Sequence, residues 1–185
     1  PHNNLGYTYW VYLGKYALSV HESKEASRLF RVAGLDEELA NSSDNLGRVY
    51  ALLGNEFQAL QLIRNGLAMR KELKLTYRVA LSENSLATTL SRLGDSAPAL
   101  NVVQGALVDF RLAGNERGIG LGLITEGAAY RNLAETWREA NIPLEEALRY
   151  TNLAEMDLRD AVRTFALPVK EPIREVEAYN EMACC

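Results

Sequence analysis

The chain has 185 residues, of which 48% are hydrophobic, and its formal net charge is −4. This composition is typical of a globular or solenoid protein with a continuous apolar core, and it excludes a disordered or fibrous chain. The weak negative charge gives no reason to expect nucleic acid or an anionic membrane as a partner. No apolar run approaches the roughly 18 residues that a membrane-spanning helix needs.

The apolar residues follow helical spacing rather than strand-like alternation. Around residue 50 they lie at positions i, i+3, i+4 and i+7, namely Leu46, Val49, Tyr50 and Leu53. Glycine followed by a polar residue, as at Gly54, then marks a helix end and a short turn. In chain order, the sequence predicts an all-α fold with helix pairs at about residues 3–33, 36–74, 76–113 and 116–164, and a lone helix at about 172–185.

Short phrases recur at a fixed distance, which indicates an internal repeat. The segment FRVAG at residues 30–34 returns as FRLAG at 110–114, 80 residues later. The segment LGRVYALLG at 46–54 is echoed by LATTLSRLG at 86–94, 40 residues later. A period of roughly 20–50 residues is typical of solenoids, in which each repeat packs only on its neighbours.

Small residues occupy equivalent positions in successive copies. One position in the first helix of each pair holds Gly6, Gly47, Ala87 and Gly127. Two positions in the second helices hold Ser19, Ala59 and Ala99, and Ala26, Gly66 and Ala106. Because glycine inside a helix costs about 1 kcal/mol relative to alanine, we expect two helix backbones to approach closely at these positions. The fourth copy is longer, and its pattern makes Ala147 the counterpart of Ala99.

The motif NLGRVYALLG, followed by ALQLIRNGLAMRKEL, resembles the tetratricopeptide repeat (TPR). The matching positions are Leu46, Gly47, Tyr50, Gly54, Ala59 and Gly66. The period of 40 residues is similar to the longer-helix variant of kinesin light chains and of bacterial signal-transducing ATPases. The resemblance covers essentially the whole chain and implies an α–α superhelix, the TPR solenoid. In one departure, Glu126 replaces the leucine of the family pattern.

In TPRs the first helix of each pair lines the concave face. The resemblance therefore implies that a groove is lined by Asn41, Asp44, Arg48, Asn84, Thr88, Arg92, Arg131 and Asn132. Its three arginines could grip the carboxylates of an acidic partner, although exposed helices commonly carry arginine without such a role. The Lys-Asn-Asn-Lys clamp of chaperone-binding TPRs is not reproduced, which disfavours that partner.

No residue pattern predicts an enzyme, a cofactor or a metal site. His21 lacks the partners of a general base. The segment GIGLG at 118–122 lacks the strand and the Lys-Ser/Thr ending of a phosphate loop, so close helix packing is the better explanation of its glycines. Adjacent Cys184 and Cys185 suit neither a structural disulfide nor a zinc site. We therefore expect a reducing, cytoplasmic compartment.

These observations favour a protein–protein interaction module, a scaffold within a larger regulatory or signalling protein, with a protein or peptide as partner. Two other functions stay open: a ligand- or peptide-sensing domain of a transcriptional regulator, and a structural self-association element. The incomplete final repeat predicts that residues 1–185 are one TPR array excised from a longer protein. It also predicts that the C-terminal end frays or forms a homodimer.

Overall fold

The computed structural model describes residues 2–139 and 144–165. They form the helices α1 (His2–Val11), α2 (Tyr16–Ala33), α3 (Asp36–Leu52), α4 (Glu56–Glu72), α5 (Thr76–Arg92), α6 (Ser96–Leu112), α7 (Glu116–Glu139) and α8 (Leu144–Thr164). No strand occurs in this part of the chain, so the predicted all-α fold is confirmed. None of these helices is long and apolar enough to cross a membrane.

Each range predicted for a helix pair holds two of these helices. The lone helix predicted at about 172–185, and the contact between copies predicted there, lie outside the described residues. The chain divides into two compact units, Pro1–Thr89 and Leu90–Cys185. The single repeat array therefore stays a prediction, and each unit is described by itself below.

Neighbouring helices pack in chain order within each unit. In the first unit α1 packs on α2, α2 on α3 and α3 on α4, and α1 also contacts α3. In that last contact, Asn45 Nδ2 donates a hydrogen bond of 3.1 Å to Asn3 Oδ1. In the second unit α6 packs on α7 and α7 on α8. This is the packing of stacked αα-hairpins, in which each hairpin buries its apolar face on the next.

The small positions are points of close helix approach, as predicted. A Cβ atom added to Gly47 in α3 would lie 2.7 Å from Ile63 Cγ1 and 3.1 Å from the Ala59 carbonyl oxygen in α4. Ala59, Ala99 and Ala106 have no exposed surface at all. A larger side chain at these positions would force the two helices apart, because protein interiors are close-packed.

The counterpart of Ala59 in the fourth pair is Ala154, so the prediction of Ala147 was wrong. A Cβ atom added to Gly127 would lie 3.1 Å from the Ala154 carbonyl oxygen, as one added to Gly47 would lie 3.1 Å from that of Ala59. Ala154 lies 55 residues after Ala99, because α7 has 24 residues and α8 has 21, against 17 in α6. In longer helices, several alanines fit the spacing equally well, and only the packing selects one.

The glycines of GIGLG lie inside α7 and make room for large buried side chains. A Cβ atom added to Gly118 would lie 2.4 Å from Phe110 Cδ1, and one added to Gly122 would lie 2.5 Å from Leu107 Cδ2. Phe110 and Leu107 are almost completely buried. The motif therefore serves helix packing, as predicted.

The recurring FRVAG and FRLAG phrases end a second helix in each unit. Gly34 and Gly114 adopt left-handed backbone conformations, with φ of 66° and 60°. After Gly34, the Leu35 amide donates to the Phe30 carbonyl over 3.0 Å, which is the hydrogen bond of a Schellman C-cap. Lys74 takes the same position after α4 with a φ of 56°. Left-handed backbone is costly for a residue with a Cβ atom.

We expect Lys74→Gly to stabilise the protein by about 1 kcal/mol, because glycine adopts this conformation without strain. The change would appear as a higher urea midpoint with an unchanged denaturant slope. Lys74→Ala is the matched control, since it removes the same charge and keeps the strained backbone. Equal midpoints for the two variants would contradict the assignment of strain to Lys74.

Candidate functional site

The predicted groove residues Asn41 and Asp44 surround a buried arginine from α4. Arg70 donates hydrogen bonds to Asp44 Oδ2, to Ser82 Oγ on α5 and, over 2.6 Å, to Asn41 Oδ1. Ser82 Oγ in turn donates to Asp44 Oδ2 over 2.8 Å. Arg70 is 3% exposed and Asp44 is 6% exposed. This cluster therefore joins α3, α4 and α5 within the first unit, and the Asp44 carboxylate is occupied by an internal ion pair.

The electrostatics of Asp44 combine opposing effects. Burial raises the pKa of the Asp44 carboxyl, while Arg70, Ser82 and Arg48 act to lower it. A buried ion pair adds little net stability because both charges lose their hydration, but breaking one half leaves the other uncompensated. The cluster is therefore sensitive to the removal of either partner.

The other predicted residues of the first unit are less deeply buried. Arg48 and Asn84 are half-buried, and Thr88 is exposed. Thr88 Oγ1 donates to the Asn84 backbone carbonyl over 2.8 Å. Within the described chain, Asn84 Oδ1 is buried and accepts no hydrogen bond. These side chains lie along α3 and α5.

In the second unit a hydrogen-bonded contact joins the chain neighbours of two predicted arginines. Asn132 Nδ2 on α7 donates to the Ser91 carbonyl oxygen over 2.9 Å and to Ser91 Oγ over 3.1 Å. Arg92 follows Ser91 and is exposed, and Arg131 precedes Asn132 and is half-buried. Because each arginine is the chain neighbour of a bonded residue, their backbones lie close to one another.

Sequence reasoning missed a pair of buried carboxyl groups, Glu126 on α7 and Asp157 on α8, each 8% exposed. Gln104 on α6 donates to Glu126 Oε1 over 3.0 Å. Asp157 Oδ2 is buried and has no hydrogen-bond partner among the residues described. Burial above all, and then the neighbouring Glu126, raises the pKa of Asp157 to about 7. The sequence did contain one signal for this pair, because Glu126 stands where the family pattern has a leucine.

Three aromatic side chains form a cluster between α7 and α8, and one of them, Tyr130, interacts with this carboxyl pair. Tyr130 stacks on Tyr150 with ring centres 5.8 Å apart, and Trp137 meets Tyr150 edge-on at 5.0 Å. Gln104 Nε2 also lies 3.2 Å from the Tyr130 hydroxyl. Burial, together with the charge of Glu126, raises the pKa of Tyr130. The aromatic cluster thus strengthens the contact between α7 and α8 beside the two carboxyl groups.

No group of three His, Cys, Asp or Glu side chains that could hold a metal ion occurs in residues 2–139 and 144–165. His21 is exposed on α2. Cys184 and Cys185 lie outside the part of the chain that the structure describes.

Stacked helix pairs with close backbone approach at small residues define an α-helical repeat protein. Two solved structures of a Podosopora anserina putative kinesin light chain with nearly identical TPR-like repeats share this fold. One of them superposes with a TM-score of 0.60, and the other with 0.59. Each match covers 98% of this chain and 82% of the matched chain, and the aligned sequences are 16% identical. The fold is therefore a TPR-like helical repeat, as the resemblance implied.

No protein-family model matches the chain, and no curated protein matches its sequence.

We expect Arg70→Met to destabilise the protein by about 3–5 kcal/mol, because it leaves the Asp44 carboxylate buried without a cation. The double variant Arg70→Met/Asp44→Leu should recover most of that loss, since no charge remains to be compensated. Denaturant unfolding measures both values.

Arg28→Met is the matched control, because Arg28 pairs with Glu25 at 2.6 Å on the surface, where its side chain is 62% exposed. Arg28→Met should lower the free energy of unfolding far less than Arg70→Met does. Equal losses of stability for Arg70→Met and Arg28→Met would show that the buried cluster contributes no more to stability than a surface ion pair.

Proposed function

We propose that this protein is a protein-interaction scaffold that binds an acidic segment of its partner through the first helices of its repeats. The TPR-like fold supports this, since stacked helix pairs present extended surfaces that bind other proteins. We further propose that it works in the cytoplasm, within a larger regulatory or signalling protein. The near absence of cysteine supports that compartment.

The observation that supports an acidic ligand is the contact between Ser91 and Asn132, which are the chain neighbours of Arg92 and Arg131. The hydrogen bonds of 2.9 and 3.1 Å between Asn132 and Ser91 hold the end of α5 beside α7. Each guanidinium is a rigid fork of donors that can hold a carboxylate through two parallel hydrogen bonds. Two such groups on adjacent helices suit a segment with acidic side chains a few residues apart.

Two predicted groove residues of the first unit interact with the buried Asp44–Arg70 cluster. In the first unit the guanidinium of Arg48 acts on the buried carboxylate of Asp44, so part of its charge is already compensated inside the protein. Asn41 is likewise bonded to Arg70. The net charge of −4 means that an acidic ligand must be attracted by local rather than overall charge. Binding should therefore depend strongly on individual arginines.

We expect a fluorescein-labelled hexaglutamate peptide to bind the protein at low salt and to bind Arg92→Glu about tenfold more weakly, a loss of about 1.4 kcal/mol. The difference should shrink as salt is added, because exposed charges are screened. Fluorescence anisotropy measures both effects. The matched control is Arg64→Glu, which makes the same charge change at an exposed position on α4.

Wild-type binding that is unchanged in Arg92→Glu, or lowered equally by Arg64→Glu, would overturn the acidic-ligand proposal. Binding of hexalysine in place of hexaglutamate would overturn it as well.

A further inference from the structure

We propose that the facing carboxyl groups of Glu126 and Asp157 form a pH-sensitive switch in the second unit. The switch holds α7 against α8 while the pair carries a proton, and it loosens that contact when both groups ionise.

The two groups lie beside a close approach of α7 and α8. A Cβ atom added to Gly127, the residue after Glu126, would lie 2.8 Å from Leu158 Cγ and 3.1 Å from the Ala154 carbonyl oxygen. Leu158 directly follows Asp157, and it is completely buried. Because the two helices are in close contact here, ionising both carboxyl groups would place two like charges in a confined space.

The surroundings of the pair do not compensate two negative charges. Gln104 on α6 is a neutral donor, and its bond reaches Glu126 rather than Asp157. Asp157 Oδ2 has no hydrogen-bond partner in the described part of the chain. A proton held between Asp157 and Glu126 would satisfy this oxygen and remove one of the two charges.

Some charged groups around Asp157 favour its ionisation and others oppose it. On α6, Arg111 favours ionisation of Asp157, while Glu126 on α7 and Asp160 on α8 oppose it. Tyr130 on α7 also interacts with the pair, and burial together with the charge of Glu126 raises its pKa. One cation against two neighbouring carboxylates leaves repulsion dominant when the whole pair is ionised.

The direction of the response follows from proton binding. An aspartate in the unfolded chain titrates near pH 3.9, whereas the folded pKa of Asp157 is raised to about 7. The folded hairpin thus keeps a proton that the open state releases. Its stabilising effect is complete below about pH 4 and is lost as pH rises through about 7. The switch therefore responds in the range around neutral pH.

The test is amide hydrogen exchange of the α7 and α8 backbone at pH 6 and pH 8, expressed as protection factors so that the intrinsic rate cancels. For one proton bound at about pH 7, protection should be about tenfold lower at pH 8 than at pH 6. Asp157→Asn should abolish this change, and Glu126→Gln should reduce it, because burial of Asp157 remains when the charge of Glu126 is removed. Asp160→Asn, which removes a half-exposed carboxylate one turn away, should keep it. No ligand is present, so the result is independent of the peptide-binding experiment.

Equal wild-type protection at the two pH values would overturn the switch, as would a tenfold change that persists in both amide variants. If those variants fail to fold, carbon-13 NMR of the wild-type protein gives the answer, from the sequentially assigned Asp157 carboxyl carbon. A titration midpoint near pH 7 supports the switch, and a midpoint near pH 4 contradicts it.

Discussion

The fold depends on close backbone contact between the two helices of each pair. A glycine or alanine at the crossing sets the distance between the helices, and that distance decides which other side chains meet. Gly47 lies against Ala59 in the first unit, and Gly127 lies against Ala154 in the second; a Cβ atom added to either glycine would lie 3.1 Å from the facing carbonyl oxygen. Residues with larger side chains cannot take these places without separating the helices.

The same contact accounts for the buried polar groups. Once two backbones touch, any polar side chain beside the crossing is enclosed and must find its partner on the neighbouring helix. Asp44 forms an ion pair with Arg70 and accepts a hydrogen bond from Ser82. Asp157 lies beside another carboxyl group, that of Glu126. The first arrangement fixes three helices in register, whereas the second makes a helix contact that depends on a proton.

Much of this fold could be predicted from the sequence, because its signals are local. Helical spacing indicated the elements, and glycines such as Gly34 and Gly114 marked the helix ends. The small positions indicated where helices cross. The register of the fourth pair could not be predicted, because Ala147 and Ala154 both fit a long helix and only the contact with Gly127 distinguishes them.

The candidate site was less predictable, since burial depends on neighbours that are distant in sequence. The groove pattern included Asp44 on spacing alone, but its partner Arg70 lies 26 residues away on another helix. In the sequence, nothing distinguishes Asp157 from the other charged residues of α8. Its place between the buried Ala154 and Ala161 was visible only after the register was known. The groove residues themselves stay a prediction.

The most direct test of the packing constraint is a pair of glycine-to-alanine substitutions in the second unit. At Gly105, in α6, an added Cβ atom meets nothing within 4 Å, whereas at Gly127 it would lie 2.8 Å from Leu158 Cγ and 3.1 Å from the Ala154 carbonyl oxygen. Alanine in a helix is favoured over glycine by about 1 kcal/mol, so Gly105→Ala should raise the free energy of unfolding. Gly127→Ala should lower it, because the contact outweighs that gain. If urea unfolding at one fixed pH shows both variants stabilised alike, the helices do not meet where the structure places them.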